Sequence, residues 1–215
     1  MLRWLLLFVV IALLAWWWAT PSAPVPVVPA PGTAPALIAS NCSPPAQLAG
    51  ADGAVQTRVP SGMPAFALDG ARAHPLAGFS VAARVLSRER YRLDHESDFA
   101  PLDLALGWGR MRDEAVISRL HISQSGRWYR YWWTGDAPLP PEEIARSSAN
   151  MHMIPAGPSV AAALDRIDAG DRVRIDGWLV EVDTPQGWRW RSSLTRDDTG
   201  NGACEVVYVC AVRKF

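Results

Sequence analysis

Charged residues are absent from one long N-terminal stretch, and their absence limits where a folded domain can begin. After Arg3, no Asp, Glu, Lys or Arg occurs before Asp52. The stretch opens with sixteen consecutive apolar residues, Trp4 to Ala19, close to the roughly 17–25 residues of a membrane-spanning helix. A cleaved signal peptide, whose apolar core has about 7–15 residues, is the alternative.

The flanks of this apolar run favour an uncleaved membrane anchor over residues 1–20. Trp16, Trp17 and Trp18 stand where an interfacial aromatic belt would lie, and no well-formed small-x-small cleavage site follows them. Arg3 and the amino terminus carry the only nearby positive charges, which predicts that the short N-terminal tail stays in the cytoplasm. We therefore expect a single-pass protein of a bacterial inner membrane with its C-terminal domain in the periplasm.

A proline-rich segment separates the predicted anchor from the rest of the chain. Eight prolines occur between Thr20 and Gln47. They exclude helices and central strands, because proline lacks the N–H and clashes with the preceding turn. We interpret residues 21–49 as a Pro/Ala-rich linker and residues 50–215 as one extracytoplasmic β-rich domain.

Local patterns in that domain predict several strands and two or three short helices. Helices are expected where prolines or acidic residues precede apolar residues at helical spacing, at 113–120, from 140 onwards and at 158–168. Strands are expected where β-branched and aromatic residues are dense, at 79–91, 126–133, 172–183, 187–195 and 203–214. The expected fold class is therefore α+β and rich in strands.

The strand predicted at 172–183 changes the parity of its apolar positions halfway along. Val173 and Ile175 have one parity, whereas Trp178 and the valines after it have the other. One extra residue at Gly177 would bring both sets to the same face, as a glycine β-bulge does. Bulged and coiled strands of this kind close small barrels.

A fold-level resemblance follows from the same residues. The pattern Gly170-Asp171-x-Val173-x-Ile175-x-Gly177, followed by two further strands, resembles the start of an OB-type barrel. The resemblance covers residues 170–214 and implies a fold without implying a ligand. The whole domain is thus expected to be a small OB-like or SH3-like closed barrel with two or three short helices.

The chain has three cysteines, Cys42, Cys204 and Cys210. Cys204 and Cys210 lie on one predicted strand about 20 Å apart, at about 3.3 Å per residue. This is too far for a disulfide, whose Cα atoms lie about 4.4–6.8 Å apart. In an oxidising periplasm, Cys42 could pair with either of them. Two buried thiols and a free thiol in the linker are the alternative.

The stretch 147–155 carries the first candidate site. His152 has a polar neighbour at strand spacing, Asn150, and a histidine can act as a general base or a metal ligand. The structural alternative is a half-buried histidine that pins a loop through hydrogen bonds to the backbone.

The stretch 188–198 carries the second candidate site. Tryptophan and arginine alternate from Trp188, and Arg196 and Asp197 follow. Such an alternation is typical of surfaces that bind sugar rings or single-stranded nucleic acid by stacking. The structural alternative places the tryptophans in the core and the arginines in water. The predicted binding residues from both stretches are Asn150, His152, Trp188, Arg196 and Asp197.

No complete catalytic motif is present. A hydrolase would use His152 as its base, with Ser193 or Cys204 as the nucleophile, but Ser193 has no G-x-S-x-G elbow around it. The polar clusters at 94–98 and 197–208 lack the full ligand sets of zinc or calcium sites. We therefore expect no metal and no cofactor.

The leading functional hypothesis is a membrane-anchored, extracytoplasmic binding or assembly module of the bacterial cell envelope. An envelope protein or a glycan is the expected partner. Nucleic acid is not expected, because the formal net charge is +0 and provides no field that attracts phosphates. An envelope hydrolase that uses His152 with Ser193 or Cys204 is the alternative.

Overall fold

The structure is a computed structural model that describes residues 37–38, 42–45, 53–195 and 203–215. These residues belong to one unit, Pro35–Phe215. The predicted anchor and most of the predicted linker lie outside the described residues. Within the described ranges, no helix is both long and apolar enough to cross a membrane.

Strands dominate the part of the chain that the structure describes. In chain order they are β1 (Leu37–Ile38), β2 (Ala54–Thr57), β3 (Phe66–Leu68), β4 (Ala71–Arg90), β5 (Leu102–Gly107), β6 (His121–Ser125), β7 (Trp128–Trp132), β8 (Ser148–Pro155), β9 (Arg172–Asp183), β10 (Arg189–Arg191) and β11 (Glu205–Lys214). The α-helices among these residues are α1 (Glu114–Ile117), α2 (Pro141–Arg146) and α3 (Pro158–Leu164). Single 3₁₀ turns occur at His95–Asp98 and Gly109–Arg112. The strand-rich α+β class with few helices is confirmed.

Five strands pair in a closed circuit. β4 pairs with β5, β5 with β8, β8 with β11, β11 with β9, and β9 again with β4. All five pairs are antiparallel except β8 with β11, which is parallel. β4 is long enough to pair with β9 over residues 72–84 and with β5 over residues 84–90. The sheet therefore curls into a nearly closed ring, with β1, β2, β3 and β10 added at its margins.

Two apolar clusters support this ring. The main cluster is built from the five ring strands and includes Phe79, Leu104, Met151, Ile175 and Val206. The smaller cluster lies under the β6–β7 hairpin and consists of Met111, Val116, Leu120, Leu139 and Ile144. The hairpin is thereby packed onto the domain by a core of its own.

The β-bulge predicted at Gly177 is wrong. β9 pairs with β4 without interruption across Gly177, and the irregularities lie in the partner strands, at Leu76 of β4 and at Cys210 of β11. Residues of both parities are buried along β9, which explains the change of parity without an extra residue. Glycine is needed for another reason, because a Cβ at this position would lie 2.2 Å from the carbonyl oxygen of Tyr208.

A disulfide joins the N-terminal part of the described chain to the ring. Cys42 bonds to Cys210 of β11, with the two Cα atoms 5.3 Å apart. The predicted pairing of Cys42 with one of the two strand cysteines is confirmed, and Cys204 is the free thiol. β1 pairs with β11 as well. Both attachments fall within the span that the sequence assigns to the linker.

Candidate functional site

A buried carboxylate lies at the centre of a polar cluster on one face of β5 and β8. Leu102, Leu104 and Leu106 of β5 belong to the main apolar core, so strand alternation points Asp103 to the opposite face. Asp103 is nevertheless 0% exposed. The register of the two strands places it directly opposite His152 of β8.

Asp103 has three polar side-chain partners. Its Oδ1 lies 2.9 Å from Nδ1 of His152 and accepts a hydrogen bond of 2.8 Å from the guanidinium of Arg127. Its Oδ2 accepts a hydrogen bond of 3.0 Å from the amide of Asn150. The contact with His152 has the distance of an ion pair but poor alignment for a hydrogen bond.

Arg127 is fixed by several contacts although its backbone conformation is unfavourable. It follows Gly126 in the β6–β7 turn. The φ value is 67° at Arg127 and 57° at Gly126, in a region that residues other than glycine rarely adopt. Its guanidinium donates to both carboxylate oxygens of Asp94, at 2.7 and 3.0 Å, and to the carbonyl of Ala100 at 2.9 Å. Its backbone N–H donates to the hydroxyl of Tyr91 at 2.8 Å. Strain that surrounding contacts hold in place in this way clusters at functional sites.

His152 is buried beside groups that favour its protonated form. Burial by itself would lower the pKa of the imidazole. Contacts with the carboxylate of Asp103 and the side chain of Cys204 outweigh burial and raise the pKa of His152 to about 9. The ring of Trp190 covers the imidazole, with the ring centroids 4.8 Å apart. The imidazolium is therefore the main form of His152 at neutral pH.

Arg127 links the buried carboxylate to a second carboxylate nearer the surface. Hydrogen bonds from Arg127 hold the pKa of Asp94 below its usual value. Burial disfavours the charged guanidinium, but its bonds to Asp94 and Asp103 raise the pKa of Arg127. With His152 protonated, these four groups contribute two positive and two negative charges, so the cluster is balanced internally.

The free thiol lies at the edge of the same cluster. Val206 of β11 lies beside His152 in the parallel pair of strands. Cys204 comes two residues before Val206, so strand alternation places it on the same side of the sheet. Its side chain contributes to the raised pKa of the imidazole, and its sulfur lies 4.0 Å from the carbonyl oxygen of Arg127. Cys204 is partly exposed, unlike the carboxylate and the imidazole beneath it.

Aromatic rings extend the cluster towards the surface. Trp188 lies edge-on to His95 at 4.5 Å and is stacked with Phe99 at 5.9 Å, measured between ring centroids. Trp190 is 6.1 Å from Trp188 and continues the series to His152. Both tryptophans are half-buried, while the arginines that alternate with them are exposed. The loop before β5 and the segment after β9 therefore meet in one group of rings, His95, Phe99, Trp188 and Trp190, called the aromatic surface below. Phe99 belongs to the main apolar core, and both tryptophans pack against that core, as the structural alternative for this stretch expects.

The structure brings three of the predicted site residues together. His152 and Asn150 both contact Asp103, and Cys204 contacts His152. Trp188 lies farther out and reaches this group only through the second tryptophan.

Ser193, another predicted site residue, has other hydrogen-bond partners. The hydroxyl of Ser193 donates to the carbonyl of Thr195 at 3.0 Å and accepts from its N–H at 3.1 Å. In the described part of the chain, no hydrogen bond joins Ser193 to the imidazole. Arg196 and Asp197 lie outside the described residues.

Sequence reasoning missed Asp103 and Arg127, and it considered Asp94 only within the polar cluster at 94–98. One signal was available for Asp103, which is the single charged residue in the apolar alternation of LDLALG. No comparable signal marked Arg127, because its role depends on a turn that brings it to a strand more than twenty residues away in sequence.

A separate cavity of about 610 Å³ is lined by residues that include Pro45, Met63 and Trp178. None of the residues of the polar cluster lines it. Its walls combine prolines, serines and one tryptophan with Arg58 and contain no acid–base pair.

Comparison of this chain with protein-family models, with curated proteins and with solved structures gives no match. Within the described residues, no group of three or more His, Cys, Asp and Glu side chains is arranged to hold a metal ion. The side chains of the cluster offer ring stacking, hydrogen bonding, proton transfer at His152 and a nucleophile at Cys204.

Proposed function

We propose that this protein is a binding module of the cell envelope, and that its ligand is a glycan held on the aromatic surface. In this proposal residues 1–20 are the membrane anchor, residues 21–49 the linker, and the ring domain lies in the periplasm. The apolar run at 4–19 supports the anchor. The Cys42–Cys210 disulfide is consistent with an oxidising compartment.

We further propose that the ring is a barrel of the OB type. A five-stranded, mainly antiparallel ring supports this assignment. The parallel pair between the third and fifth ring strands, β8 and β11, favours it over an SH3-like barrel. OB-type barrels bind oligosaccharides and oligonucleotides on their second and third strands and on the loops that follow the first and fourth strands. Here those elements are β5, β8, residues 91–101 and residues 184–204.

The observation that carries the proposal is the continuity of aromatic rings at that position. Trp188 contacts His95 and Phe99 on one side and Trp190 on the other, so rings from two loops form one surface. Trp188 and Trp190 are half-buried, and in this proposal a planar or cyclic ligand contacts the part of each ring that remains exposed.

The charge of the cluster favours a sugar over a nucleic acid. The guanidinium of Arg127 is fully engaged by Asp94 and Asp103, which leaves it no free charge for a phosphate. Binding of single-stranded nucleic acid needs positive groups along the backbone in addition to stacking. A neutral ring ligand needs only the stacking surface and hydrogen-bond partners.

The test is isothermal titration calorimetry with soluble peptidoglycan fragments, on the full chain in detergent. We expect Trp188→Ala to weaken binding by about fivefold or more, because one aromatic contact is worth about 1 kcal/mol. Trp132→Ala is the control, since Trp132 is 52% exposed and also contacts a histidine, His121, but by stacking and on the β6–β7 hairpin.

Three outcomes would contradict this proposal. The first is equal loss of affinity in the two variants. The second is the absence of glycan binding together with capture of a specific envelope protein by crosslinking in cells, which would make the domain an assembly module. The third is tight binding of single-stranded DNA that weakens steeply with salt, which would replace the glycan with a nucleic acid.

A further inference from the structure

The contacts of one thiol and one imidazole point to a catalytic activity beyond ligand binding. We propose that Cys204 is the nucleophile of an acyl-transfer site that cleaves esters, with His152 as its general acid and base and Asp103 as the residue that positions the imidazole. This inference does not depend on the nature of the ligand bound by the aromatic surface.

The geometry follows the order of roles in a nucleophile–histidine–acid arrangement. Nδ1 of His152 faces Asp103 at 2.9 Å, which leaves Nε2 as the nitrogen that would exchange a proton with Cys204, a side chain that raises the pKa of the ring. The acid is fixed from two further directions by Arg127 and Asn150, so the imidazole has one preferred orientation. Asp103, Arg127, Asn150 and His152 come from β5, the β6–β7 turn and β8, and the thiol comes from the residue just before β11.

The surroundings of Cys204 also distinguish it from a structural cysteine. Reactive cysteines are partly exposed and lie near positive groups, whereas structural cysteines are buried in apolar surroundings. Cys204 is partly exposed beside an imidazole whose pKa is raised to about 9. Cys42 and Cys210 are both 4% exposed or less and are joined in the disulfide. An odd cysteine left over beside a disulfide is a candidate reactive thiol.

Cys204 is a better candidate than Ser193 for the nucleophile. The hydroxyl of Ser193 both donates to and accepts from the backbone of Thr195, so it is directed along its own loop. The backbone N–H of Ser193 donates to the carbonyl of Cys204 at 3.0 Å. In this arrangement Ser193 supports the chain at the nucleophile and does not act as one.

The proposed reaction has two balanced steps. In the first, the thiolate of Cys204 forms a bond to the carbonyl carbon of an ester, the bond from that carbon to the alkoxy oxygen breaks, and His152 gives its proton to the departing alcohol. In the second, a water molecule gives a proton to His152 and its hydroxide adds to the thioester carbon, the carbon–sulfur bond breaks, and the acid leaves. Thiolate and imidazolium are thereby restored.

The first experiment needs no substitution. The full chain, in detergent and without reductant so that the disulfide stays intact, is treated with iodoacetamide across a pH series, and alkylation of Cys204 is followed by mass spectrometry. An ordinary thiol has a pKa of about 8.5, so only roughly 0.3% of it is ionised at pH 6. We expect alkylation of Cys204 at pH 6 to be at least about tenfold faster than that of glutathione. A rate and pH profile equal to those of glutathione would overturn the proposal.

The second experiment follows acyl transfer from p-nitrophenyl acetate. We expect a burst of nitrophenolate with an acetyl group on Cys204, no burst in Cys204→Ser, and an unchanged burst in Ser193→Ala. His152→Gln should slow turnover by about 100-fold, within the usual contribution of a general acid–base. Asp103→Asn should change the pH profile of turnover, an effect that a purely structural role would not produce. A burst that survives in Cys204→Ser, or that is lost in Ser193→Ala while the fold is retained, would overturn the assignment of the nucleophile.

Discussion

The two faces of the β5–β8 pair are equally buried and chemically opposite. On the inner face, Leu102, Leu104 and Met151 are at most 2% exposed and belong to the main apolar core. On the outer face, Asp103 and His152 are also at most 4% exposed, yet both carry charge. Because side chains alternate along a strand, the same two strands present an apolar face to the core and a charged face to the polar cluster.

The difference between the apolar and the charged face indicates which of them stabilises the fold. Burial of a leucine side chain contributes about 2 kcal/mol. Removal of a carboxylate and an imidazolium from water costs several kcal/mol per ion, and their attraction offsets this cost only when additional hydrogen bonds complete the site. The outer face therefore contributes little net stability, and its fixed charges are better explained by ligand binding or catalysis.

The largest expected effect concerns the inner face. Leu104→Ala should lower the free energy of unfolding by about 2–5 kcal/mol, because it removes a fully buried side chain and leaves a cavity. Chemical denaturation measures this loss, and Leu93→Ala is the control, since Leu93 is 101% exposed. Alkylation of Cys204 in the folded variant should be unchanged. A stability loss in Leu104→Ala no larger than in Leu93→Ala would refute the division between the faces.

The next effect concerns the pH dependence of stability on the outer face. The pKa of His152 is raised from 6.5 to about 9 in the folded protein, so the folded state holds this proton more tightly than the unfolded state. The resulting stabilisation, at most about 3 kcal/mol, is fully present below pH 6.5 and is lost as the pH rises through 9. Denaturation at several pH values should show a decline that His152→Gln removes and that the exposed control His121→Gln retains. A decline that persists in His152→Gln would assign it to another group.

The smallest of the three effects is the coupling within the outer face. A double-mutant cycle of Arg127→Gly and Asp103→Asn should give a coupling energy of about 1–3 kcal/mol, as for residues in one hydrogen-bonded network. Glycine is chosen because it accepts the positive φ of 67° without strain. Arg191→Ala with Glu181→Gln is the control cycle on an ion pair whose arginine side chain is 57% exposed, and it should give less than about 1 kcal/mol. Equal couplings in the two cycles would show that burial does not strengthen the network.

Local chemistry made part of the fold predictable. The helices at 141–146 and 158–164 begin with proline at their first turn, as the sequence indicates. The strands at 172–183 and 205–214 follow from dense β-branched and aromatic residues. Distance alone excluded a bond between the two strand cysteines and left Cys42 as the partner.

Non-local features escaped prediction for identifiable reasons. β8 has the composition of a loop, with Ser148, Asn150 and a final proline. Its polar residues are buried in contacts with the protein, Asn150 with the Asp103 carboxylate and Ser148 with the carbonyl of Ile144. The bulge at Gly177 was the wrong explanation of a real pattern, since alternation indicates one buried face only when the other face is solvated. The approach of Arg127 to Asp103 depends on how the β6–β7 hairpin packs on the ring, which no local pattern specifies.

The position of the Cys42–Cys210 disulfide determines where a mechanical force on the N-terminal part of the chain would reach the domain. In a protein tethered as proposed, a pull on the chain before Cys42 enters the domain at β11 through a covalent bond. β11 lies between β8 and β9, so the load enters the ring at a strand held by two ladders of hydrogen bonds and not at a marginal strand such as β2. The same strand is thus the place where the ring is covalently joined to the chain that precedes it.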